Sequence, residues 1–481
     1  MYAQTELFGL IQTPKKTLRA SVRKVGGASL NEIQDIFASS VPFYRLSPTE
    51  EGENSRERVY SLRVTFWTFL WQCLNPGASC REAVRKVRAW FRLDPGRPEV
   101  SEDDCPYCTA RKRLPKPLLE SILKDTAQTA QQRVGSTGQF HGRDVLVVDG
   151  TTVQMPDTPS NQKRYPQLSN QKPGCGFPLL KMVGLFSLAS GALQELAMGN
   201  KHKHELSLFR RLWHRIKPGD ILLADRGFSD FVTVAHLQRR GADCVLRLHQ
   251  KRKADFRQGR RLGKNQRLIQ VAKPPVKPKT ASKRLWRSLP DSISLRLIRY
   301  PVTIKGFRTR EIFLATTLLD PVAHPAEELA QLYFRRWHVE LFFRDIKTTM
   351  KMDMMRCKSA NMVEKELYMH LIAYNLIRCL MAESAILHET PLDRISFKGT
   401  LDSLRQFSPL IASASSGKKR NMLLYDMIKV LALDELPWRP NRVEPRAIKR
   451  RPKPYALLNK PRKQMKVIPH RSKYRKNMGL N

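Results

Sequence analysis

Two short apolar runs each end on a carboxylate: VLVVD brings the chain to Asp149 and ILLAD brings it to Asp225. Side chains at the ends of buried strands project into the cleft that an α/β sheet uses for ligands. An aspartate there is also a common turn former or helix cap, so neither residue decides anything alone. A third group lies further along the chain. Tyr333, Arg336, Glu340 and Lys347 stand at offsets of three, seven and fourteen, which at about 100° per residue places them within roughly 60° on one face of a helix. That face would present an aromatic hydroxyl, two cations and a carboxylate. A surface helix laced with charge pairs, with Arg344 and Asp345 joining in, has the same spacing. Three carboxylates without His or Cys among them suit Mg²⁺ or Mn²⁺ better than zinc.

The elements that must position these residues can be read from periodicity. From residue 145 onwards, VLVVDG, then PLLKMVGLFSLASG and ALQELAMG turning at Ser190-Gly191, predict three successive strands. HELSLFRRLWHRI predicts a helix, ILLAD a strand, DFVTVAHLQRRG a helix and CVLRLH a strand. The order is strand, strand, strand, helix, strand, helix, strand. Residues 250–285 are rich in Lys, Arg and Pro and read as a loop or basic arm. SLRLIRY and REIFLATTLL then bracket a turn at Gly306, and one long helix is expected from near Pro325 to about 355. A further helix follows in VEKELYMHLIAYNLIRCLMAES. Upstream, residues 30–130 read as helices, with Asn75-Pro76-Gly77 as a break.

Composition narrows the partner. The 481 residues carry 86 Lys plus Arg against 43 Asp plus Glu, a net charge of +43, and the complement of such an excess is a polyanion. Phosphate contacts would then dominate affinity and weaken steeply with salt. A chain of this length exceeds one compact core of usual size. No run of eighteen apolar residues is present, and the first residues lack the basic-then-apolar layout of a signal peptide; a soluble, cytoplasmic protein with no membrane partner is expected. Eight scattered cysteines fit a reducing compartment. Cys105 and Cys108 form one CxxC, and Cys73 and Cys80 could complete four thiolates for zinc, although they are not spaced as a second CxxC. His202 and His204, where polar residues open a helix, read as DNA-facing or capping groups ahead of metal ligands.

Taken together, Y-x2-R-x3-E-x6-K at Tyr333, Arg336, Glu340 and Lys347, VVDGTT around Asp149 and ILLADRGF around Asp225 resemble, in the same order, the signature of DDE transposases of the insertion-sequence-four type. SCREAV (79–84), YCTARKRLP (107–115) and RVEPRAIKRRPKPY (442–455) also look like segments of that family, so the resemblance spans most of the chain. It implies an α/β fold: a ribonuclease-H-like mixed sheet with flanking helices and a β-strand insertion, preceded by a helical N-terminal domain and followed by a helical, basic C-terminal region. It implies that Asp149, Asp225 and Glu340 bind two Mg²⁺ ions, with Mn²⁺ as a substitute. Tyr333, Arg336 and Lys347 would contact DNA phosphates near the cleaved end, with Arg226 a further DNA-binding candidate. Trp286 stands where some relatives stack a tryptophan on a flipped base; packing against the insertion's own strands is the alternative.

The implied organisation is a helical DNA-binding region at 1–135, the first part of the core at 136–250, the basic arm and insertion at 251–320, the core helix bearing Glu340 at 321–360, C-terminal helices at 361–437 and a basic, flexible tail at 438–481. The implied activity is cut-and-paste transposition: cleavage at terminal inverted repeats of double-stranded DNA, by way of a hairpin, and strand transfer into target DNA, all in one active site. Two ends require at least two subunits, so a homodimer is expected in the synaptic complex, nucleoid-associated when bound to DNA. No protein nucleophile is needed, and Tyr333 is better explained as part of the helix face. Two alternatives stay open. A ribonuclease-H-like nuclease would use the same acids without joining, and a DNA-binding derivative would use none of them.

Overall fold

The computed structural model describes residues 34, 36–47, 58–92, 98–248, 255–302, 311–437, 460–461 and 464–465. Much of the expected basic tail lies outside the described residues. The first helices are α1 (Leu62–Leu74), α2 (Cys80–Phe91), α3 (Cys105–Arg113) and α4 (Lys116–Val134). Ser61 and Ser79 cap α1 and α2 by accepting from Val64 N and Glu82 N, and Asn75-Pro76-Gly77 separates the two as its composition predicts.

Nine strands form one sheet in the order β3-β2-β1-β4-β5-β9-β8-β7-β6. Strand β1 (Val145–Gln154) pairs antiparallel with β2 (Leu179–Ser187), which pairs antiparallel with β3 (Leu193–Gly199). On its other side β1 runs parallel to β4 (Ile221–Ala224), and β4 parallel to β5 (Asp243–Arg247). Three antiparallel strands followed by two parallel ones, with α6 (Glu205–Arg210) and α7 (Phe231–Arg239) as crossovers, make the ribonuclease-H-like mixed sheet. A short helix, α5 (Pro159–Arg164), interrupts the first two strands; its six residues were too few for a periodicity to register.

The insertion differs from expectation. Residues 250–285 read as a loop, yet they contain β6 (Arg260–Gly263), β7 (Gln266–Ala272) and α8 (Lys283–Arg287). Their Arg and Gln residues are exposed or half-buried, and no apolar alternation marked the strands. With β8 (Ser292–Pro301) and β9 (Glu311–Thr316) they extend the central sheet, because β9 pairs antiparallel with β5. Arg296 on β8 is wholly buried. Its guanidinium donates to the carbonyls of Leu318, Asp320 and His324 and to Gln266 Oε1, fastening the loop that leads into the next helix.

That helix is not the uniform rod expected from Pro325 to 355. It is α9 (Ala326–Phe334), a 3₁₀ turn (Arg335–Trp337), α10 (His338–Arg344) and a π turn (Asp345–Thr349). Three helical pitches change where Lys347 points relative to Glu340, so a constant 100° step fails at that end. Helix α11 (Ala360–Leu387) follows, then α12 (Phe397–Ala412) and α13 (Gly417–Leu433). Alternation along β1 separates two cores. Val145, Val147 and Val153 face α9–α13 and the N-terminal helices, whereas Leu146 and Val148 face α6 and α7. The helices upstream of the sheet therefore share a core with those downstream, and α4 against α11 is the largest helix–helix contact. Helix α11 is long and apolar enough to cross a membrane, but 78% of its most apolar window is buried in this core.

Candidate active site

The sheet's register brings two of the acids together. Val148 and Ala224 are the last partners in the parallel ladder between β1 and β4, and the next residue on each strand is Asp149 and Asp225. Asp149 does not end its strand, as the sequence suggested. Beyond Val148, β1 continues to Gln154 along β2, with a single further bridge from Gln154 to Met354, because β4 stops at Ala224; Asp149 sits opposite Gly184 where the sheet loses its third strand. Asp225 leaves β4 in extended conformation and leads into a 3₁₀ turn at Arg226–Phe228. Helix α10 packs on β1 and carries Glu340 to the same place.

Arg336 joins the three. Its guanidinium lies 3.9 Å from Asp149 Oδ2 and 3.3 Å from Glu340 Oε1, and Asp225 also lies within its electrostatic reach. The sequence placed Arg336 on DNA, but its side chain is only 12% exposed and turned toward the carboxylates, the nearest counter-charges available to it. Tyr333 is likewise buried, with its hydroxyl near Arg336 and Asp225 and without a hydrogen-bond partner. Burial pushes that hydroxyl's pKa up, so it stays protonated. Lys347 donates to Thr151 Oγ1 at 3.2 Å and Thr152 O at 3.0 Å, so the second cation of the motif also turns inward, onto β1. Burial lowers its pKa.

Burial pushes the Asp149 carboxyl up to about 6, opposed by the Gly150 N–H and Arg336 and assisted by Glu340 and Asp225. The Gly150 N–H donates to Asp149 Oδ1 at 2.8 Å. Gly150 stands close to the Glu205 carboxylate, which a Cβ there would meet at 3.0 Å. Neither Glu205 nor the threonines holding Lys347 stood out in the sequence, since both contacts join segments far apart in the chain.

Three carboxylates against one guanidinium leave a negative site of oxygen donors only, and Asp225 Oδ1 is buried without a hydrogen-bond partner. These features fit a hard divalent cation. With Arg336 between them, the three acids are not drawn within 4.8 Å of one another. Among the described residues, two other groups are that close: Cys80 with Asp104 and Cys108, and Asp103 with Asp104 and Cys105. The four thiolates that the sequence could in principle have offered to zinc are not assembled, because Cys73 is buried and Cys105 is exposed beside Asp103.

Arg226 is exposed on the turn after Asp225. Trp286 meets Phe231 of α7 edge-on, with the Lys273 ammonium over its ring. His204 caps α6 by accepting from Leu206 N at 3.2 Å.

Residues 140–376, which include all three acids and the whole of the nine-stranded sheet, match the model of the transposase DDE domain. The chain is 27% identical over 410 residues to the transposase InsG for insertion sequence element IS4 of Escherichia coli (strain K12), covering 84% of this chain and 89% of that protein. A solved structure of the piggyBac transposase synaptic complex with hairpin DNA superimposes at a TM-score of 0.40 and 9% identity, over 79% of this chain and 78% of that one. The central part of the chain is thus similar to the transposase DDE domain, and the chain as a whole to a transposase of the insertion-sequence-four type.

Proposed function

We propose that this chain cuts double-stranded DNA at the terminal inverted repeats of a mobile element and joins the freed 3′ ends to target DNA, using Asp149, Asp225 and Glu340. The observation that carries this reading is the register: Asp149 and Asp225 follow the final pair of adjacent parallel strands, and α10 brings Glu340 to them across Arg336. The three acids would hold two divalent cations, Mg²⁺ with Mn²⁺ as a substitute. Such ions, when bound, activate an attacking oxygen and stabilise the leaving 3′ oxygen of an in-line displacement.

The chain's own residues do the rest. Asp225 offers a buried oxygen with no competing hydrogen bond. The Gly150 N–H holds Asp149 in one orientation. Arg336, satisfied by carboxylates in the absence of substrate, exchanges them for phosphate oxygens when DNA enters, and Lys347 is the second cation on the same side of the site. Tyr333 supports Arg336 from behind, its ring centroid 5.9 Å from the guanidinium. Water attacks first, the freed 3′ hydroxyl then attacks the opposite strand to give a hairpin, and the reopened 3′ end attacks the target; no protein nucleophile enters. Two subunits hold two ends. Helix α11 is buried within the subunit, so contact between subunits falls to α12 and α13, where Leu410, Met422 and Leu433 are exposed. The site of action is the cytoplasm, on the nucleoid.

The test uses labelled DNA carrying the element's own ends, Mg²⁺, and the native chain beside Glu340→Ala. Cleaved and joined products from the native chain alone support the proposal. Cleavage without joining points to a nuclease. Equal binding by both proteins with no cutting under Mg²⁺ or Mn²⁺ overturns the enzymatic reading.

A further inference from the structure

Away from the acids, α1, α2, α3, α11 and the segment between the π turn and α11 line a cavity of about 660 Å³ whose walls include Cys73, Cys80, Cys108 and Cys357. Cys80 opens α2, Cys108 lies on α3, and their sulfurs are within 4.8 Å of each other, with an Asp104 carboxylate oxygen as close. Arg111, one turn beyond Cys108, is almost fully buried. Its guanidinium donates to Cys80 Sγ at 3.2 Å and to Cys357 Sγ at 3.0 Å. Gln72 Nε2 donates to Cys80 Sγ at 3.8 Å. A sulfur facing two N–H donors, one of them charged, is in the environment of a thiolate. The CxxC motif is not the reactive unit, since Cys105 faces Asp103 at the surface.

We propose that Cys80 is a reactive thiolate and that it and Cys108 form a disulfide when the protein meets a hydroperoxide. The Cys80 thiolate attacks the peroxide, forming an S–O bond and breaking the O–O bond; protonation of the departing hydroxide gives water and leaves the Cys80 sulfenic acid. Cys108 sulfur then attacks Cys80 sulfur, the S–O bond breaks, and the Cys108 proton leaves with the hydroxyl as a second water. Two thiols lose two electrons, and one peroxide becomes two waters.

Electrostatics agree with this assignment of roles. The Cys80 thiol is lowered to about 6 by the hydrogen bond from Cys108, with burial opposing and Arg111 assisting. Cys108, which donates that hydrogen bond, is held well above the usual thiol range. Cys80, whose sulfur accepts from Arg111 and Gln72, is the attacking sulfur, and Cys108 is the resolving one. Zinc at Cys80, Asp104 and Cys108 is the competing occupant, and the Arg111 guanidinium already bonded to Cys80 disfavours a second cation there.

The experiment uses the full-length, reduced protein at pH 6.5 with iodoacetamide, followed by peptide mass spectrometry. At that pH a thiol titrating near 6 is about three-quarters ionised against roughly 1% for an ordinary exposed one. The lower nucleophilicity of the more acidic thiol takes back about tenfold, leaving Cys80 roughly eightfold faster than an ordinary exposed thiol and faster still than Cys105, whose pKa Asp103 raises. Hydrogen peroxide should then link the Cys80 and Cys108 peptides with loss of two thiols. In Cys108→Ser the reaction should stop at a sulfenic acid on Cys80 that dimedone traps. Alkylation of Cys80 no faster than of Cys105 overturns the proposal. So does a peroxide-treated native protein without the Cys80–Cys108 link, or a purified protein holding one equivalent of zinc that must be stripped before Cys80 reacts.

Discussion

The buried carboxylate of Asp149 should make the metal-free protein less stable than its own active-site mutant. Its ordinary value of 3.8 is raised to about 6 in the fold, first by burial. A folded-state value above the unfolded one means that the folded chain holds the proton more tightly. That contribution is complete below about pH 3.8 and is lost as pH rises through about 6, so at pH 7.5 the ionised group costs the fold up to about 3 kcal/mol. The side chain keeps 27% exposure, and solvent screening brings the expectation to about 2 kcal/mol. Asp149→Asn removes the charge while its side-chain oxygen can still accept from the Gly150 N–H. With an unfolding entropy on the order of 1 kcal/mol/K for a chain of this length, Tm in the presence of chelator should rise by about 2 °C at pH 7.5, by roughly half as much at pH 5, and by almost nothing near pH 3. Calorimetry across that series measures it. Adding Mg²⁺ should raise the Tm of the native chain and leave that of Asp149→Asn almost unchanged. A mutant equal to or less stable than the native chain at pH 7.5 in chelator would refute the argument that burial dominates this group's energetics.

Arg336 stands among carboxylates that we assign to divalent cations, so Arg336→Gln should tighten Mn²⁺ binding by about tenfold, read by titration calorimetry, while weakening cleavage of end DNA; unchanged affinity would mean that the guanidinium does not compete with the ions. Removing Arg296 leaves the buried carbonyl of Leu318 and the part-buried carbonyls of Asp320 and His324 without their donor. Arg296→Ala should therefore cost about 3 kcal/mol in a urea titration, with Arg296→Lys recovering part of it. Trp286→Ala should lower stability by about 1–2 kcal/mol through the contacts with Phe231 and Lys273, yet leave cleavage of end DNA within about twofold of native. A loss of cutting without a loss of stability would restore a DNA-stacking role for this ring.

The sequence by itself determined the elements that bury apolar residues at a regular period. VLVV, ILLA and the 28-residue α11 could be placed because their side chains alone satisfy a strand or an all-round buried helix. It also determined the candidate acids, whose types and flanking strands are local facts. The strands β6 and β7 were hidden because they are polar and gain their order from a chain of pairings, β6 on β7 and β7 on β8 further along the sequence. Tertiary structure decided the register that sets Asp149 beside Asp225, which depends on where β4 stops along β1. It decided the inward turn of Arg336, directed by a cluster of carboxylates that only the assembled sheet creates, and that of Lys347, which finds Thr151 and Thr152 on β1. And it decided that Cys80 meets Cys108 while Cys105 does not, because a CxxC spacing fixes two residues about one turn apart on a helix and says nothing of which face the neighbouring helix will cover.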